Sequence, residues 1–134
     1  MRFDVILIVA AVLCLLVGQS FGIWMSQDQQ RFVFAPVHAH LNLAGWVTMA
    51  LYGLAHRAFP VLGAAKLAPF QATLAIAGAI VMPYGIWIVL HGGGETVAIV
   101  GSLLVMAGTL LFAIMFVGKV AMAKAGASPA VAAA

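Results

Sequence analysis

Long uninterrupted apolar runs are the feature that most constrains how this chain folds. Four of them, at about residues 5–25, 34–56, 69–90 and 96–122, each approach the roughly 20 apolar residues that cross a bilayer as a helix. Of the 134 residues, 66% are hydrophobic and only 7% are charged, which is too little polar surface for a water-soluble globule. The sequence therefore predicts one all-α domain over residues 1–122, an integral membrane four-helix bundle.

Prolines and glycines mark the predicted helix ends. Pro36 favours the first turn of the second helix, because an amide hydrogen at that position would make no hydrogen bond within the helix. Phe59-Pro60 ends that helix. Three glycines after His91 predict a tight turn. The alanine-rich tail, residues 123–134, is expected to be disordered. The first run could alternatively be a signal peptide, although it is longer than the usual h-region of about 7–15 residues.

The basic residues of the loops predict an orientation. One side of the predicted bundle receives Arg2, Arg57, Lys66, Lys119 and Lys124, and the other receives Arg31. The positive-inside rule then places both termini in the cytoplasm, as expected for a multi-pass protein of the cytoplasmic membrane surrounded by lipid. By the same rule His56 and Arg57 are expected to be interfacial anchors. Because the basic residues are scattered singly, nucleic acid is excluded as a partner.

The second predicted helix concentrates costly polar side chains, namely His38, His40 and Asn42. Two residues correspond to about 200° of helical rotation, so the histidines face different sides, whereas a zinc site on one helix favours i, i+4 spacing. Two interpretations follow. Either interhelical hydrogen bonds satisfy both rings, or the rings are ligands of a metal or metalloporphyrin, which neutral imidazole binds well.

The residues of this helix resemble a known family. The stretch His38-Ala39-His40-Leu41-Asn42-Leu43-Ala44-Gly45, continuing through Tyr52-Gly53 to Phe59-Pro60, is similar to the tenth helix of subunit I of the heme-copper oxidases and nitric oxide reductases. There, the two histidines of a His-x-His pair bind two different hemes from opposite sides. The stretch also resembles the second helix of that subunit, whose histidine aligns with His38. Small four-helix proteins with the sequence Ala-Pro-Val-His-Ala-His-Leu-Asn-Leu are similar over nearly the whole length.

The resemblance implies an assembly. Subunit I of the family has twelve helices in three arcs of four, and this chain has the length of one arc, which implies a homotrimer. His38 of one protomer and His40 of its neighbour would then be the axial iron ligands of a heme b at each subunit boundary. The family binds heme propionates at the outward side, so Arg31 is expected to contact a propionate. Asn42 and Trp46 are expected to line the cofactor site.

The chain also departs from the family. It has no adjacent His-His pair for a copper site, and related small proteins often carry a histidine early in the third helix, where this chain has Gln71. The sequence therefore predicts a bis-histidine electron-transfer cytochrome with an unidentified electron donor or acceptor, without oxygen reductase activity and not an enzyme. The alternatives are a sensor of nitric oxide or another gas, a heme-handling protein, a purely structural bundle, or a metal permease.

Overall fold

The structure is a computed structural model that describes residues 2–121. These residues form an all-helical fold without a β-strand, so the predicted all-α class is confirmed for the described part of the chain. The predicted disordered tail, residues 123–134, lies outside the described residues, as do Met122 and Lys124.

The helices follow one another with short connections. A 3₁₀ turn precedes α2, and α2, a π-helical segment and α3 continue directly into one another, so that they are together called the α2–α3 segment. The elements are α1 (Phe3–Ser26), the 3₁₀ turn (Gln29–Phe34), α2 (Ala35–His40), the π segment (Leu41–Thr48), α3 (Met49–Ala58), α4 (Pro60–Gly63), α5 (Ala68–Leu90), α6 (Thr96–Phe116) and a second π segment (Val117–Ala121).

Local sequence explains several of these ends. Phe59 has φ −126° and ψ 82°, which interrupts the helix, because a residue before proline is disfavoured in the α conformation. The Asp28 side chain accepts a hydrogen bond from the Gln30 amide at 3.0 Å and so caps the 3₁₀ turn. After α5 the chain turns at Gly92, whose φ of +82° is readily available only to glycine.

Within residues 2–121, three helices are long and apolar enough to cross a membrane. They are Phe3–Ser26, Ala68–Leu90 and Thr96–Val120. Large apolar side chains cover the outside of the bundle, and Ile23, Leu51 and Met106 are each at least 60% exposed. A surface of this kind is typical of a lipid-facing protein, since soluble monomers rarely expose large contiguous apolar patches.

The bundle is built from two closely packed helix pairs, α1 with the α2–α3 segment and α5 with α6. In the second pair, a methyl group at Gly78 would lie 2.6 Å from the Val105 amide nitrogen, and one at Gly101 would overlap the backbone of Met82. Glycine is therefore required where the two backbones meet. Such small residues allow helices to approach in a membrane, where van der Waals packing is a main source of association.

The close approach of α5 and α6 predicts a stability effect. Gly101→Ala should lower the free energy of unfolding by about 1–3 kcal/mol, because the added methyl group forces the helices apart. Gly118→Ala is the matched control, since no described atom lies within 4 Å of a methyl group there. Circular dichroism during denaturation of the detergent-solubilised proteins measures the free energy of unfolding of both variants. Equal loss of stability in the two variants would contradict the packing argument.

Candidate functional site

The two predicted ligand histidines lie in the last turn of α2, directly before the π segment. Pro36 lies in the first turn of this helix. Its fixed φ and its missing amide hydrogen both favour that position. Because His38 and His40 are about 200° apart around the helix axis, one ring faces the neighbouring helix and the other does not. Each therefore has its own surroundings.

His38 faces α1. Its Nδ1 lies 2.9 Å from the carbonyl oxygen of Gly18, and a methyl group at Gly22 would lie 2.9 Å from its Cε1. A larger side chain at Gly22 would push the ring away. Gly18 and Gly22, four residues apart and so on one face of α1, form the glycine notch that accommodates His38.

Asn42 lies against the same glycine notch, one turn after His38. Its Nδ2 donates a hydrogen bond to the His38 carbonyl oxygen at 2.8 Å and is 3.5 Å from each ring nitrogen of His38. A methyl group at Gly18 would approach this amide nitrogen to 2.8 Å. The structure therefore brings together two of the predicted site residues, His38 and Asn42.

His40 has a different environment. Its Nδ1 lies 2.7 Å from the carbonyl oxygen of Pro36 on its own helix, and no described residue from another element forms a hydrogen bond with it. Pro36, one turn before, and Leu43, about one turn after, are both exposed. The partly exposed His40 ring therefore lies on the side of the α2–α3 segment that faces away from α1.

Both histidines have a defined tautomer. A carbonyl oxygen can only accept a hydrogen bond, so Nδ1 carries the hydrogen in both rings and Nε2 carries the lone pair. An Nδ1–H bond to a backbone carbonyl is the arrangement that commonly orients a metal-ligating histidine and makes it a better ligand. The donor chemistry of this site therefore fits a metal held through Nε2.

A π-helical segment, Leu41–Thr48, begins directly after the two histidines. The Thr48 hydroxyl donates to the carbonyl oxygen of Leu43, five residues earlier, at 2.7 Å. In this segment Gly45 packs on α1, and a methyl group there would lie 2.7 Å from Cβ of Cys14. Short π segments inside α-helices frequently occur at functional sites.

Arg31 and Trp46 lie apart from His38 and Asn42 in the network of contacts. The Arg31 guanidinium lies 4.8 Å from the centre of the Trp24 ring and donates from Nη1 to the Trp24 carbonyl oxygen at 3.0 Å. It therefore binds the last turn of α1, where a cation is favourable. Trp46 packs beside the small core cluster formed by Ala11, Met49 and Ala79. Neither residue has a described hydrogen bond to His38 or His40.

Aromatic rings hold the beginning of α2 against α1 and α5. Phe34, directly before α2, stacks on Trp87 with ring centres 4.8 Å apart and on His91 at 5.0 Å. It also contacts Trp24 at 5.7 Å. This aromatic cluster fixes the helix that carries the two histidines, since such ring pairs add to the energy of apolar burial.

Within residues 2–121, no group of three His, Cys, Asp or Glu side chains could hold one metal ion. An apolar cavity of about 500 Å³ lies between α1, the α2–α3 segment and α5, with Val37 and Leu41 among its lining residues and neither histidine in its wall. The His38 and His40 rings of one chain therefore have separate surroundings and share no cavity wall.

Neither the glycine notch nor the burial of His56 was predicted from the sequence. Gly18 and Gly22 follow the small-xxx-small spacing of close helix contacts, which is the signal that could have revealed them. His56, expected at the interface, is only 4% exposed, because Phe3 and Gly63 from other elements pack near its ring. Gln71, on α5, is fully buried.

Comparisons with known proteins give no relationship. No protein-family model matches the chain, and neither a curated protein nor a solved structure matches it. The resemblance to the heme-copper oxidases therefore rests on the sequence pattern that runs from His38 to Pro60.

The tautomer of the two histidines can be tested without any cofactor. Solid-state ¹⁵N NMR of the cofactor-free protein in lipid should show both rings protonated at Nδ1, although free histidine in water favours Nε2. Gly22→Ala should shift the His38 signals, because its methyl group displaces that ring, and leave the His40 signals in place as an internal control. Nε2 protonation of both rings would contradict the assigned hydrogen bonds.

Proposed function

We propose that this chain is a b-type heme-binding membrane protein that acts as a bis-histidine electron-transfer cytochrome. The observation that carries the proposal is the pair of imidazoles at His38 and His40, each bound through Nδ1 to a backbone carbonyl. Each leaves an Nε2 lone pair for an iron atom. A porphyrin suits these surroundings, since its large apolar face belongs in an apolar environment.

Two protomers supply the ligands of each heme in this proposal. His38 lies in the notch of α1 and His40 lies on the other side of the helix, so the two rings of one chain do not face a common iron atom. His38 of one protomer and His40 of its neighbour would hold the iron at the boundary between the two subunits. Three such boundaries in a closed ring give the homotrimer that the oxidase resemblance implies. The exposed apolar side chains next to His40 support a contact with another copy.

The membrane topology in this proposal has four spans, with the α2–α3 segment as the second. Arg2 and Arg57 both form ion pairs with Asp4, which places the beginning of α1 and the end of α3 at one end of the bundle. Lys66 and Lys119 line a common cavity. By the positive-inside rule, the end of the bundle with these four basic residues faces the cytoplasm. Both termini then lie on the cytoplasmic side of the membrane.

Heme would supply reversible one-electron transfer, and the protein would fix its ligands and its low-dielectric surroundings. If His38 and His40 both held the iron, they would leave it no open site for a substrate. The sequence also lacks the adjacent His-His pair of an oxidase copper site. We therefore infer an electron carrier without oxygen reductase activity that exchanges electrons with a separate redox partner.

A second candidate is a sensor of nitric oxide or another gas, or a protein that handles heme. One contact favours it, because the Asn42 amide nitrogen lies 3.5 Å from the His38 Nε2. A hydrogen bond to this lone pair would compete with iron and make His38 the weaker ligand. A displaceable ligand is what a gas needs in order to bind.

Mixed oligomers test whether the ligands come from two chains. His38→Ala and His40→Ala should each abolish low-spin heme absorption. Co-expression of the two variants should restore about a quarter of the wild-type heme. A subunit boundary binds heme only if one protomer supplies an intact His38 and its neighbour supplies an intact His40, and random assembly of a closed ring gives about a quarter of the boundaries this combination. Visible spectra of the purified oligomers, normalised to iron per chain, measure the recovery.

The matched control is His91→Ala, which removes a histidine that also bonds to a carbonyl on its own helix, at 2.8 Å. It should keep the full low-spin spectrum. If co-expression restores nothing while both single variants remain folded, the ligands do not come from two protomers. If the wild-type protein from heme-replete cells has no Soret band, the heme proposal fails altogether.

Carbon monoxide distinguishes the cytochrome from the gas sensor. The reduced cytochrome should change its spectrum little, because two histidines fill the axial positions. Asn42→Leu, which removes the competing amide, should reduce any residual response further. A large spectral change in the wild-type protein would instead support the sensor, and Asn42→Leu would then weaken the response.

A further inference from the structure

A second polar site lies at the end of the α2–α3 segment opposite the two histidines. Arg2 and Arg57 both pair with the Asp4 carboxylate, at 3.2 Å and 3.3 Å. The Arg2 and Arg57 side chains are 68% and 67% exposed, whereas the Asp4 side chain is 15% exposed. One carboxylate therefore serves two guanidinium groups, which leaves a net positive charge and an excess of hydrogen-bond donors.

His56 lines the same cavity, which has a volume of about 580 Å³. Its ring is only 4% exposed, and neither ring nitrogen has a hydrogen bond within the described residues. The Gln71 side chain is fully buried beside the ring and can serve one of its nitrogens, but it does not line the cavity. Because buried polar groups are almost always hydrogen-bonded in native proteins, the other ring nitrogen of His56 is available for a partner in the cavity.

The donors of this cavity define the chemistry of that partner. Arg2 and Arg57 offer only donors, and Asp4 is the single anionic acceptor of the wall. A cation would meet two guanidinium groups, whereas an oxyanion would supply the missing acceptors. The site therefore fits a phosphate or a similar group with several acceptor oxygens.

The position of the cavity favours a lipid as the source of the phosphate. The cavity lies where α1 begins and α3 ends, which is the level of the headgroups if these helices span the membrane as proposed. His40 and His56 are sixteen residues apart, or about 24 Å along a helix, so a ligand held at His40 is remote from this cavity. The site is therefore separate from the proposed heme site.

We propose that the cavity binds the phosphate of an anionic phospholipid, held by Arg2, Arg57 and the His56 ring. A zwitterionic lipid carries the same phosphate, but its cationic headgroup would face two guanidinium groups. Asp4 opposes binding by competing for both guanidinium groups. This inference rests on the proposed membrane insertion and not on heme.

The test is native mass spectrometry of the full-length protein released from mixed micelles containing equal amounts of phosphatidylglycerol and phosphatidylcholine. The wild type should retain phosphatidylglycerol. Arg57→Gln should lower its retention about fivefold, as expected for one basic residue at an anionic surface. Asp4→Asn should raise it by a similar factor, because it frees both guanidinium groups. A merely structural ion pair would instead give both substitutions the same direction of effect.

Controls separate this site from the other one. Arg31→Gln removes a basic residue at the opposite end and should not change lipid retention, and neither should His38→Ala, which tests the heme proposal independently. His56→Phe should lower retention, with circular dichroism confirming the fold. The proposal is overturned if Arg57→Gln and Arg31→Gln behave alike, or if inorganic phosphate displaces the lipid at equal concentration.

Discussion

The contact of His38 with the glycine notch is the interaction on which the arrangement of the site depends. An imidazole inside an apolar bundle is costly unless it forms hydrogen bonds, and the Gly18 carbonyl oxygen, 2.9 Å away, provides one. The ring can reach that oxygen because Gly22 has no side chain. A methyl group at Gly22 would collide with the ring. The notch therefore fixes three things together: the separation of α1 and α2, the tautomer of His38 and the direction of its Nε2.

Much of the fold followed from the sequence because membrane-length helices depend on local composition. Residues 5–25 were predicted as the first helix, and the structure has Phe3–Ser26. Residues 69–90 were predicted as the third, and the structure has Ala68–Leu90. The π segment could not be predicted, since its apolar spacing is compatible with an ordinary α-helix. The segment packs closely on α1, where a methyl group at Gly45 would lie 2.7 Å from Cβ of Cys14.

The candidate site was predictable only in part, for a similar reason. The spacing of His38 and His40 alone determines that they face different ways. In contrast, the contact of Arg31 with Trp24 and the burial of His56 depend on residues far away along the chain. His56 was expected at the interface from its place near the helix end, but Phe3 and Phe112 lie against its ring. Long-range packing of this kind leaves no local sequence signal.

His40 and His91 show why the same hydrogen bond has different consequences in different places. In both residues Nδ1 bonds to a carbonyl on the same helix, at 2.7 Å and 2.8 Å. His91 is exposed in the turn after α5, where water can reach its other nitrogen. His40 instead lies within a helix beside the exposed apolar side chain of Leu43, where lipid offers no hydrogen bond. Its Nε2 therefore gains most from a partner outside its own chain, which the proposed heme shared with a second copy would provide.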